Sequence, residues 1–414
     1  MPKFIIDKIG PIEHVDFTLN KVNMLIGPQS SGKSTIAKVI SFCLWLEKDV
    51  LMRRNTDYVS WSFVEKQLLE FHKLKNYLNE GYAIFFVGDA IDFCYTKDMC
   101  FAKLKDGFER CKIGKVAYIP AERNAVTLPN IASLKMPEYN TRSFIFDWLE
   151  VHQKFQKKNA VDLLKLKLKY YYDESSQKDM IVLEDGKEIG LEEASSGLQS
   201  VVPLYVYVYY LTHWIYDHQE DISFEKKDRI EGALSREYIK MFSKQMNVVM
   251  DEEFLNQAVK EAKLSPGFKK ILGTAKTLKK AGNDSLDNLL ETVLELEENI
   301  SHPHYSNIIV EEPELNLFPE TQKDLIYDLL EMINSGRDHL LMTTHSPYLL
   351  YALNNCMLGA LVQENIPEEE EGLQKDEGFV CQAGGCFCMG DLKKMENFFL
   401  IKRIRTILFK MKED

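Results

Sequence analysis

Apolar residues along the chain recur with two different spacings, and the two spacings alternate as in an α/β protein. Short strand-like runs are Val22 to Ile26, Val116 to Ile119, Asn307 to Val310 and His339 to Thr343. Runs with helical spacing are Asp57 to Leu74, Ser143 to Gln156, Pro319 to Asn334 and a further run from Pro347. This βαβ alternation predicts a largely parallel sheet that binds its ligand at the carboxyl ends of the strands.

Other segments carry antiparallel signals. Lys3 to Leu19 alternates around Gly10-Pro11 as a hairpin does, and Tyr82 to Leu104 is typical of several short strands. Leu164 to Tyr172 and Met180 to Leu183 are predicted as a second antiparallel pair. The apolar run Val201 to Tyr216 contains Pro203 and is interpreted as a buried helix.

A chain of 414 residues exceeds what one hydrophobic core usually serves, so more than one unit is expected. We predict an N-terminal lobe (residues 1–215), a charge-rich helical insertion (216–304) and a C-terminal lobe (305–414). The segment from Leu392 to Lys412 is compatible with a terminal packing helix or a partner-docking surface.

Composition narrows the class of protein. A net charge of −12 disfavours a surface that attracts nucleic acid everywhere. No run reaches the ~20 apolar residues that span a bilayer, and the start lacks a secretory core, so we expect a soluble, cytoplasmic protein without membrane contact. The eight scattered cysteines are expected to be free thiols. Cys381, Cys386 and Cys388 are also candidates for half of a metal site, although no C-x2-C pair accompanies them.

Gly27 to Thr35 spell GPQSSGKST, which matches the phosphate-binding loop G-x-x-x-x-G-K-[ST] directly after a strand-like run. Such a loop wraps backbone N–H groups around phosphate oxygens, and the following helix directs its positive end at them. We expect Lys33 to reach the β- and γ-phosphates of ATP and Ser34 to contact Mg²⁺, while Thr35 packs elsewhere. The candidate nucleotide-binding residues are Gly27, Ser30, Ser31, Gly32, Lys33 and Ser34, with Thr35 included as the last residue of the motif.

Two acids and a histidine follow the later strands. Glu311 is predicted to hold Mg²⁺ directly or through water, and Glu312 to orient or deprotonate the water that attacks the γ-phosphate. A solvated turn is the alternative for these acids. His345 follows the apolar run at Leu340 to Thr344, where an imidazole can contact the γ-phosphate and sense its loss. A purely structural histidine is the alternative there.

The phosphate loop, the Glu311-Glu312-Pro313-Glu314 segment and the Thr344-His345-Ser346-Pro347 segment, in that order, resemble the ABC-type ATPases. More narrowly, they resemble the soluble branch of RecF-, Rad50- and OLD-like ATPases. The resemblance implies an ABC-type P-loop head, in which a signature loop of one subunit closes over the γ-phosphate held by the other. ATP and Mg²⁺ would then join a homodimer as an ATP sandwich.

Ala194 to Ser200 match the signature loop, and the resemblance implies that Ser196 and Gly197 contact phosphate. A hydroxyl, a glycine N–H and a helix N-terminus together form an anion site. The alternative is a plain helix N-cap at Ser195 or Ser196. Where ABC proteins carry a coupling glutamine, this chain has YIPAERN, which leaves the role of Glu122 or Arg123 open.

Relatives in this branch often act with nucleases in bacterial antiphage defence, through a fused Toprim domain or a separate subunit. The residues after His345 are too few for a Toprim domain, which favours a separate effector. The preferred hypothesis is a dimeric ATPase switch that gates this partner. The alternatives are a RecF- or Rad50-like sensor that binds DNA, and the energy subunit of a membrane transporter. The short insertion without sustained heptads disfavours a Rad50-like tether.

Overall fold

The computed structural model describes residues 1–128, 131, 139–218, 232, 235–240, 243, 252–264, 302–334, 336–363, 398–402 and 405–408. Its strands are β1 Lys3–Ile9, β2 Ile12–Thr18, β3 Val22–Ile26, β4 Leu78–Val87, β5 Ile91–Thr96, β6 Cys100–Leu104, β7 Lys115–Ile119, β8 Val161–Leu163, β9 Leu168–Asp173, β10 Lys178–Val182, β11 Glu188–Gly190, β12 Ser306–Glu311, β13 His339–Thr344, β14 Phe398–Lys402 and β15 Arg405–Leu408. Its α-helices are α1 Lys33–Arg53, α2 Trp61–Val64, α3 Asn140–Val151, α4 Ser196–Tyr209, α5 Ile215–Asp217, α6 Glu252–Leu264, α7 Pro319–Asn334 and α8 Pro347–Gln363.

The helices are joined by short turns of other helical types. A π-helical turn, Glu65–Glu70, extends α2, and a second, Tyr210–Trp214, connects α4 to α5. The 3₁₀ turns are Phe108–Arg110, Ala121–Thr127, His152–Lys154, Lys157–Asn159 and Leu191–Glu193. The segment predicted as a buried helix, Val201 to Tyr216, therefore runs through α4, the π turn and α5, and its first part is buried on all sides.

A six-stranded sheet in the order β15-β14-β3-β13-β12-β7 forms the centre of the fold. Its strands β14, β3, β13, β12 and β7 are mutually parallel, and only β15 is antiparallel to its neighbour. The register brings the carboxyl ends together: Thr344 pairs with Ile26, Glu311 with Thr343 and Val310 with Ile119. The predicted α/β fold with a mainly parallel core sheet is confirmed.

Two hydrophobic cores lie on opposite faces of this sheet because side chains alternate along each strand. Ile308 and Val310 belong to the core that contains α3, α4, α7 and α8, whereas Ile309 belongs to the core around α1. The helix α1 is buried nearly all round, as a helix enclosed between two sheets must be. On its far side lies a five-stranded antiparallel sheet, ordered β2-β1-β4-β5-β6.

The antiparallel predictions are also confirmed. The β1–β2 hairpin is present, and the second pair appears as β9 and β10 in a four-stranded sheet ordered β11-β10-β9-β8. Among the helices that the structure describes, none is both long and apolar enough to span a bilayer. The described cysteines, Cys43, Cys94, Cys100, Cys111 and Cys356, are free thiols, as predicted.

The C-terminal prediction needs a correction. Within the segment from Leu392 to Lys412, the described residues form the strands β14 and β15 rather than a packing helix. The apolar residues of β14 follow one another without helical spacing, and β14 gains backbone hydrogen bonds by pairing in parallel with β3. Cys381, Cys386 and Cys388 lie outside the described residues. Most of the predicted insertion also lies outside the described residues, and α6 is the helix described within it. The division into three units stays a prediction.

A cavity of about 480 Å³ lies at the amino-terminal ends of the central strands. Its lining includes Lys21, Glu47 and His339. The length of β3 separates Lys21 from the phosphate loop, so this cavity is not part of the candidate nucleotide site.

Glu47 is a buried acid of α1 that faces the turn between β4 and β5. Its carboxylate Oε1 accepts hydrogen bonds from the backbone N–H groups of Ala90 at 2.7 Å and Ile91 at 3.4 Å. Burial is the main cause that raises the pKa of Glu47 from 4.5 to about 7. The folded protein therefore holds this proton more tightly than the unfolded chain does. The associated stability is complete below pH 4.5 and is lost as the pH rises through about 7.

We expect Glu47→Gln to raise the free energy of unfolding at pH 8 and to change it little near pH 5. The amide oxygen keeps the hydrogen bonds from the β-turn and carries no charge to desolvate. A shift of this size corresponds to at most about 3 kcal/mol. Urea unfolding of both proteins across this pH range measures the effect, with exposed Glu80→Gln as the control. If the free energy of unfolding depended on pH in the same way in wild type and Glu47→Gln, the raised pKa of Glu47 would be contradicted.

Candidate nucleotide site

The phosphate loop connects β3 to α1 with a backbone that requires glycine. Ser30 has a φ of 60° and Gly32 a φ of 96°, both in the left-handed region. A Cβ on Gly32 would also lie 2.8 Å from the side chain of Ile12. Lys33 then begins α1, so the strand and the helix predicted on either side of the loop are both present.

Lys33 is buried, and its ammonium is held by the loop from which it comes. Nζ donates hydrogen bonds to the carbonyl oxygens of Gly27 and Pro28, each at 2.8 Å. Burial lowers the pKa of Lys33, while the negative charges of Glu312 and Glu314 act in the opposite direction. The ammonium is thus desolvated and oriented before any phosphate arrives.

His345 connects this lysine to the predicted catalytic acid. Its Nδ1 lies 3.2 Å from Lys33 Nζ and 3.1 Å from the carbonyl oxygen of Gly27, and its Nε2 lies 3.1 Å from Glu312 Oε1. In the neutral tautomer with its hydrogen on Nε2, the ring accepts from the ammonium and donates to the carboxylate, while the carbonyl oxygen of Gly27 accepts from the ammonium and not from the ring. The structure therefore brings Lys33, His345 and Glu312 into one hydrogen-bonded chain.

Glu312 has a backbone conformation that is uncommon for a residue with a side chain. Its φ is 44°, in a region that costs a non-glycine residue about 1–2 kcal/mol. Both of its backbone groups are fixed, because its N–H donates to Thr343 O at 2.9 Å and its carbonyl oxygen accepts from Arg123 Nη2 at 2.9 Å. This turn directs the carboxylate towards His345.

Glu311 is the last residue of β12 and is 5% exposed. Its Oε1 has no hydrogen-bond partner within 3.5 Å among the described residues. The carboxylate neighbours the buried hydroxyl of Tyr118, whose pKa is raised by burial and by the charge of Glu311. A buried acceptor without a partner is unfavourable by about 1–3 kcal/mol, and a water molecule of a hydrated Mg²⁺ would satisfy it. Ser34 is half-buried in the first turn of α1, and Thr35 is buried. Glu311 and Ser34 are the groups that fit Mg²⁺ held by the nucleotide.

The hydroxyl of Ser31 is a second buried polar group at this site without a partner in the described residues. A phosphate oxygen in the loop would satisfy it. Among all the residues that the structure describes, no group of three or more His, Cys, Asp or Glu side chains is arranged to hold a metal ion on its own.

Glu314 has a role that the sequence did not reveal. Its Oε1 accepts hydrogen bonds from Thr344 Oγ1 at 2.7 Å, from the backbone N–H of His345 at 2.7 Å and from that of Ser346 at 3.2 Å. These bonds fix the loop after β13 to the loop after β12. Glu314 therefore sets the position of the histidine backbone, and its place in the sequence EEPE was the only available signal.

In the YIPAERN segment, Arg123 rather than Glu122 contacts the residues of the site. Glu122 is exposed, whereas Arg123 is fully buried in the 3₁₀ turn after β7. Its guanidinium donates to the carbonyl oxygens of Ser200, Glu311 and Glu312 at 2.8 to 2.9 Å. Arg123 thus joins α4 to the backbone of Glu311 and Glu312.

The signature residues lie on the first turn of α4. Ser195 is the N-cap, and its Oγ accepts a hydrogen bond from Leu198 N at 3.4 Å. The cap leaves Ser196 exposed and Gly197 half-buried. No hydrogen bond joins Ser196 or Gly197 to the phosphate loop within the described residues. Gly197 instead faces the carbonyl oxygen of Asn316, which follows Glu311 and Glu312 in the chain.

We expect Gly197→Ala to abolish contact of the signature turn with phosphate. A Cβ at this position would lie 2.9 Å from the backbone oxygen of Asn316, so the turn or the segment after β12 must shift. ATP-stimulated self-association should be lost, and binding of ATP by the same subunit retained. Light scattering and calorimetry with ATP and Mg²⁺ measure the two effects. Gly359→Ala is the control because a Cβ there meets nothing within 4 Å. Unchanged self-association would contradict the role of Gly197.

One family model matches part of the chain that forms this site. Residues 215–350 match the model of the AAA ATPase domain family. This segment contains β12, β13, the acids and His345 but not the phosphate loop. No curated protein matches the sequence.

Solved structures show only a distant likeness. The SMC head domain from Thermotoga maritima is 11% identical with a TM-score of 0.33, over 84% of this chain and 90% of its own. The recombination mediator RecF of the RecFOR pathway is 12% identical with a TM-score of 0.28, over 84% and 93%. A dimeric ATP-binding cassette with bound ADP and phosphate is 13% identical with a TM-score of 0.22, over 85% and 91%. The functional assignment rests on the family match and the site.

The site contains the elements of nucleotide hydrolysis at one edge of a parallel sheet. A glycine-containing loop leads into a helix N-terminus with a buried lysine, and acids and a histidine follow the adjacent strands. Positioned charges of this kind carry phosphoryl transfer to water. The protein is a P-loop ATPase. Residues 215–350, which match the AAA ATPase domain family, contain Glu311, Glu312 and His345.

Proposed function

We propose that this ATPase is a homodimeric switch in which ATP and Mg²⁺ lie between two subunits, and that its closed state gates a separate effector. The observation that carries the proposal is the hydrogen-bonded chain of Lys33, His345 and Glu312, together with a signature turn whose Ser196 is exposed and whose Gly197 faces Asn316 O. One subunit thus offers a phosphate cradle and, elsewhere on its surface, a second anion-binding turn. Two copies would complete each other.

In the proposed reaction, Lys33 and the loop N–H groups bind the phosphates. Glu312 accepts a proton from the attacking water, and His345 contacts the γ-phosphate while holding the carboxylate of Glu312 in place. Ser34 and Glu311 would hold the bound Mg²⁺, and the ion would neutralise the negative charge of the phosphates. Loss of the γ-phosphate would remove a partner of both His345 and the opposite signature turn, which would favour opening of the dimer.

Exposed apolar side chains near the site support a second copy as the partner. Phe318 is 74% exposed and Tyr348 is 50% exposed. Gln322 joins the segments that carry them: its amide donates to Leu317 O at 2.8 Å and its amide oxygen accepts from Ser346 Oγ at 2.6 Å. Aromatic side chains of this kind are frequent anchors of protein interfaces.

The effector part of the proposal is supported by the resemblance of the motifs to RecF- and OLD-like ATPases. We propose that the partner is a nuclease subunit, that the system acts in antiphage defence and that it operates in the cytoplasm. The free thiols of the described cysteines suit a reducing compartment.

The experiment is purification of tagged Glu312→Gln protein from its native host in ATP and Mg²⁺, followed by mass spectrometry. A nuclease recovered in equal amount, and absent when ADP replaces ATP, would support the gated effector. A homodimer that carries DNA, released by salt, would replace this proposal with a DNA-binding sensor. A monomer in saturating ATP would overturn the ATP sandwich itself.

A further inference from the structure

The buried Arg123 connects two parts of the molecule that the proposed ATP sandwich uses in different nucleotide sites. Its Nε donates to Ser200 O on α4 at 2.9 Å, while Nη1 donates to Glu311 O at 2.8 Å and Nη2 to Glu312 O at 2.9 Å. The helix α4 begins at the signature turn, which would contact ATP of the partner subunit. The acids would act on ATP of their own subunit.

We propose that Arg123 is a positioning residue that couples the signature helix to the catalytic acids, so that each subunit adjusts Glu312 in response to ATP held by the other. The inference rests on the proposed dimer and adds communication between its two sites. Neither the motifs nor the family match assigns this role to Arg123.

An arginine suits this position because of its geometry. Its five N–H donors form a rigid planar fork. Here the acceptors are five backbone carbonyl groups: the three above, Pro120 O at 3.3 Å and Pro313 O at 3.3 Å. The residue is 0% exposed, so every donor depends on these carbonyls. If the carbonyl group of Ser200 on α4 shifts, the guanidinium must move with it, and its hydrogen bonds to the carbonyl groups of Glu311 and Glu312 are strained.

The charge of the guanidinium is retained in this buried position. Burial lowers the pKa of Arg123 to about 10, and the carboxylates of Glu314, Glu312 and Glu311 oppose this effect. The group thus stays protonated at neutral pH. Its positive charge also compensates the negative charges of Glu312 and Glu314. The other cation near these acids is Lys33, which would contact phosphate instead when ATP binds.

The acceptor at Glu312 is a place where a small shift has a large effect. Its left-handed backbone is held by one hydrogen bond to β13 and one from Arg123. Its carboxylate lies 3.1 Å from His345 Nε2. Movement of Ser200 with α4 would pull the guanidinium, turn the Glu312 backbone and change this contact. A misplacement of about 1 Å at such a group can change a rate by about 100-fold.

Arg123→Lys tests the role because it keeps the charge and removes the fork. ATP affinity should stay near the wild-type value because Lys33 and the loop are intact. The kcat should fall by about 10- to 100-fold. The Hill coefficient for ATP hydrolysis should fall from about 2 towards 1, since the two sites no longer communicate. Exposed Arg110→Lys is the matched control. A variant with the wild-type kcat and Hill coefficient would overturn the inference.

A mixed dimer separates coupling from direct contact with ATP and keeps Arg123 in place. One subunit carries Lys33→Met, which weakens its ATP binding by about 100-fold, and offers an intact signature turn. The other carries Gly197→Ala and binds the ATP. With isotopic labelling of the first subunit, hydrogen exchange should show protection of both its 196–204 and its 309–315 segments when ATP is added.

The outcomes are distinct. Protection of 196–204 without any change at 309–315 would overturn the coupling and leave the ATP sandwich standing. Loss of the response at 309–315 when Arg123→Lys is added to the labelled subunit would support the coupling. Failure of the two chains to associate in ATP would overturn the dimer on which the inference rests.

Discussion

Glu312→Gln is expected to lower the kcat of ATP hydrolysis by about 100-fold or more and to leave ATP affinity nearly unchanged. The carboxylate lies 3.1 Å from His345 Nε2 and is 30% exposed, so it is reachable by water and oriented by the ring. Glutamine has the same size and still accepts the hydrogen bond from Nε2–H. It has no basic oxygen to take a proton from the attacking water.

The trapped complex gives a second readout of the same substitution. If hydrolysis opens the proposed dimer, slow hydrolysis should preserve it, and Glu312→Gln in ATP and Mg²⁺ should have twice the mass of one chain by light scattering. Wild type should show this species only transiently. The exposed Glu320→Gln, in the first turn of α7, is the control for removal of one carboxylate nearby.

Glu311→Gln distinguishes the two adjacent acids. Its carboxylate has a buried oxygen without a partner, which fits a water of hydrated Mg²⁺. The Mg²⁺ concentration for half-maximal activity should rise in Glu311→Gln and stay unchanged in Glu312→Gln. If the two variants shift the Mg²⁺ dependence equally, the separate roles of metal ligand and base are wrong. A Glu312→Gln protein with the wild-type kcat would remove Glu312 from catalysis.

The sequence was sufficient for the elements that local pattern controls. The loop GPQSSGKST, the strand before it and the helix after it follow from residue spacing. The helix Pro319–Asn334 has the predicted bounds because Pro319 starts it and an amphipathic pattern continues it. The parallel sheet followed from the alternation of strands and helices.

The contacts that organise the site were beyond sequence reasoning because they join distant positions. Arg123 donates hydrogen bonds to carbonyl groups 77 and 188 residues away. Because every residue has a backbone carbonyl, the residue types at those positions do not indicate the contact. Glu314 was read as part of the acidic motif, yet its partners come from the loop after β13. The left-handed backbone of Glu312 is equally invisible, because glycine or asparagine is the usual signal for it.

The pairing of β14 with β3 was missed for a related reason. Strand formation at an open sheet edge depends on which segment arrives there, and residue types between Leu392 and Lys412 do not show that β14 will pair with β3. Local pattern thus predicts elements, whereas long-range hydrogen bonds decide which of them meet.

Lys33→Met is expected to weaken ATP binding by about 100-fold, the second large effect at this site. The ammonium is buried and already oriented by Gly27 O and Pro28 O at 2.8 Å, so little reorganisation precedes its contact with phosphate. Hydrogen bonds to charged groups contribute about 1.5–3 kcal/mol each, which sets the size of the loss. Methionine keeps a chain of similar length and cannot supply either the charge or the donors.

Calorimetry with ATP and Mg²⁺ measures the affinity, and thermal unfolding shows whether the variant remains folded. Ligand bound only to the native state raises the unfolding free energy by about 2.7 kcal/mol at 100 times its Kd, so ATP should raise the melting temperature of wild type and not of Lys33→Met. Lys21→Met is the matched control: Lys21 precedes the same strand at its other end and bonds to one backbone carbonyl, that of Gly336. If Lys33→Met bound ATP as tightly as Lys21→Met, the loop from Gly27 to Thr35 would not be the phosphate cradle, and the ATP-dependent dimer would need a different nucleotide site.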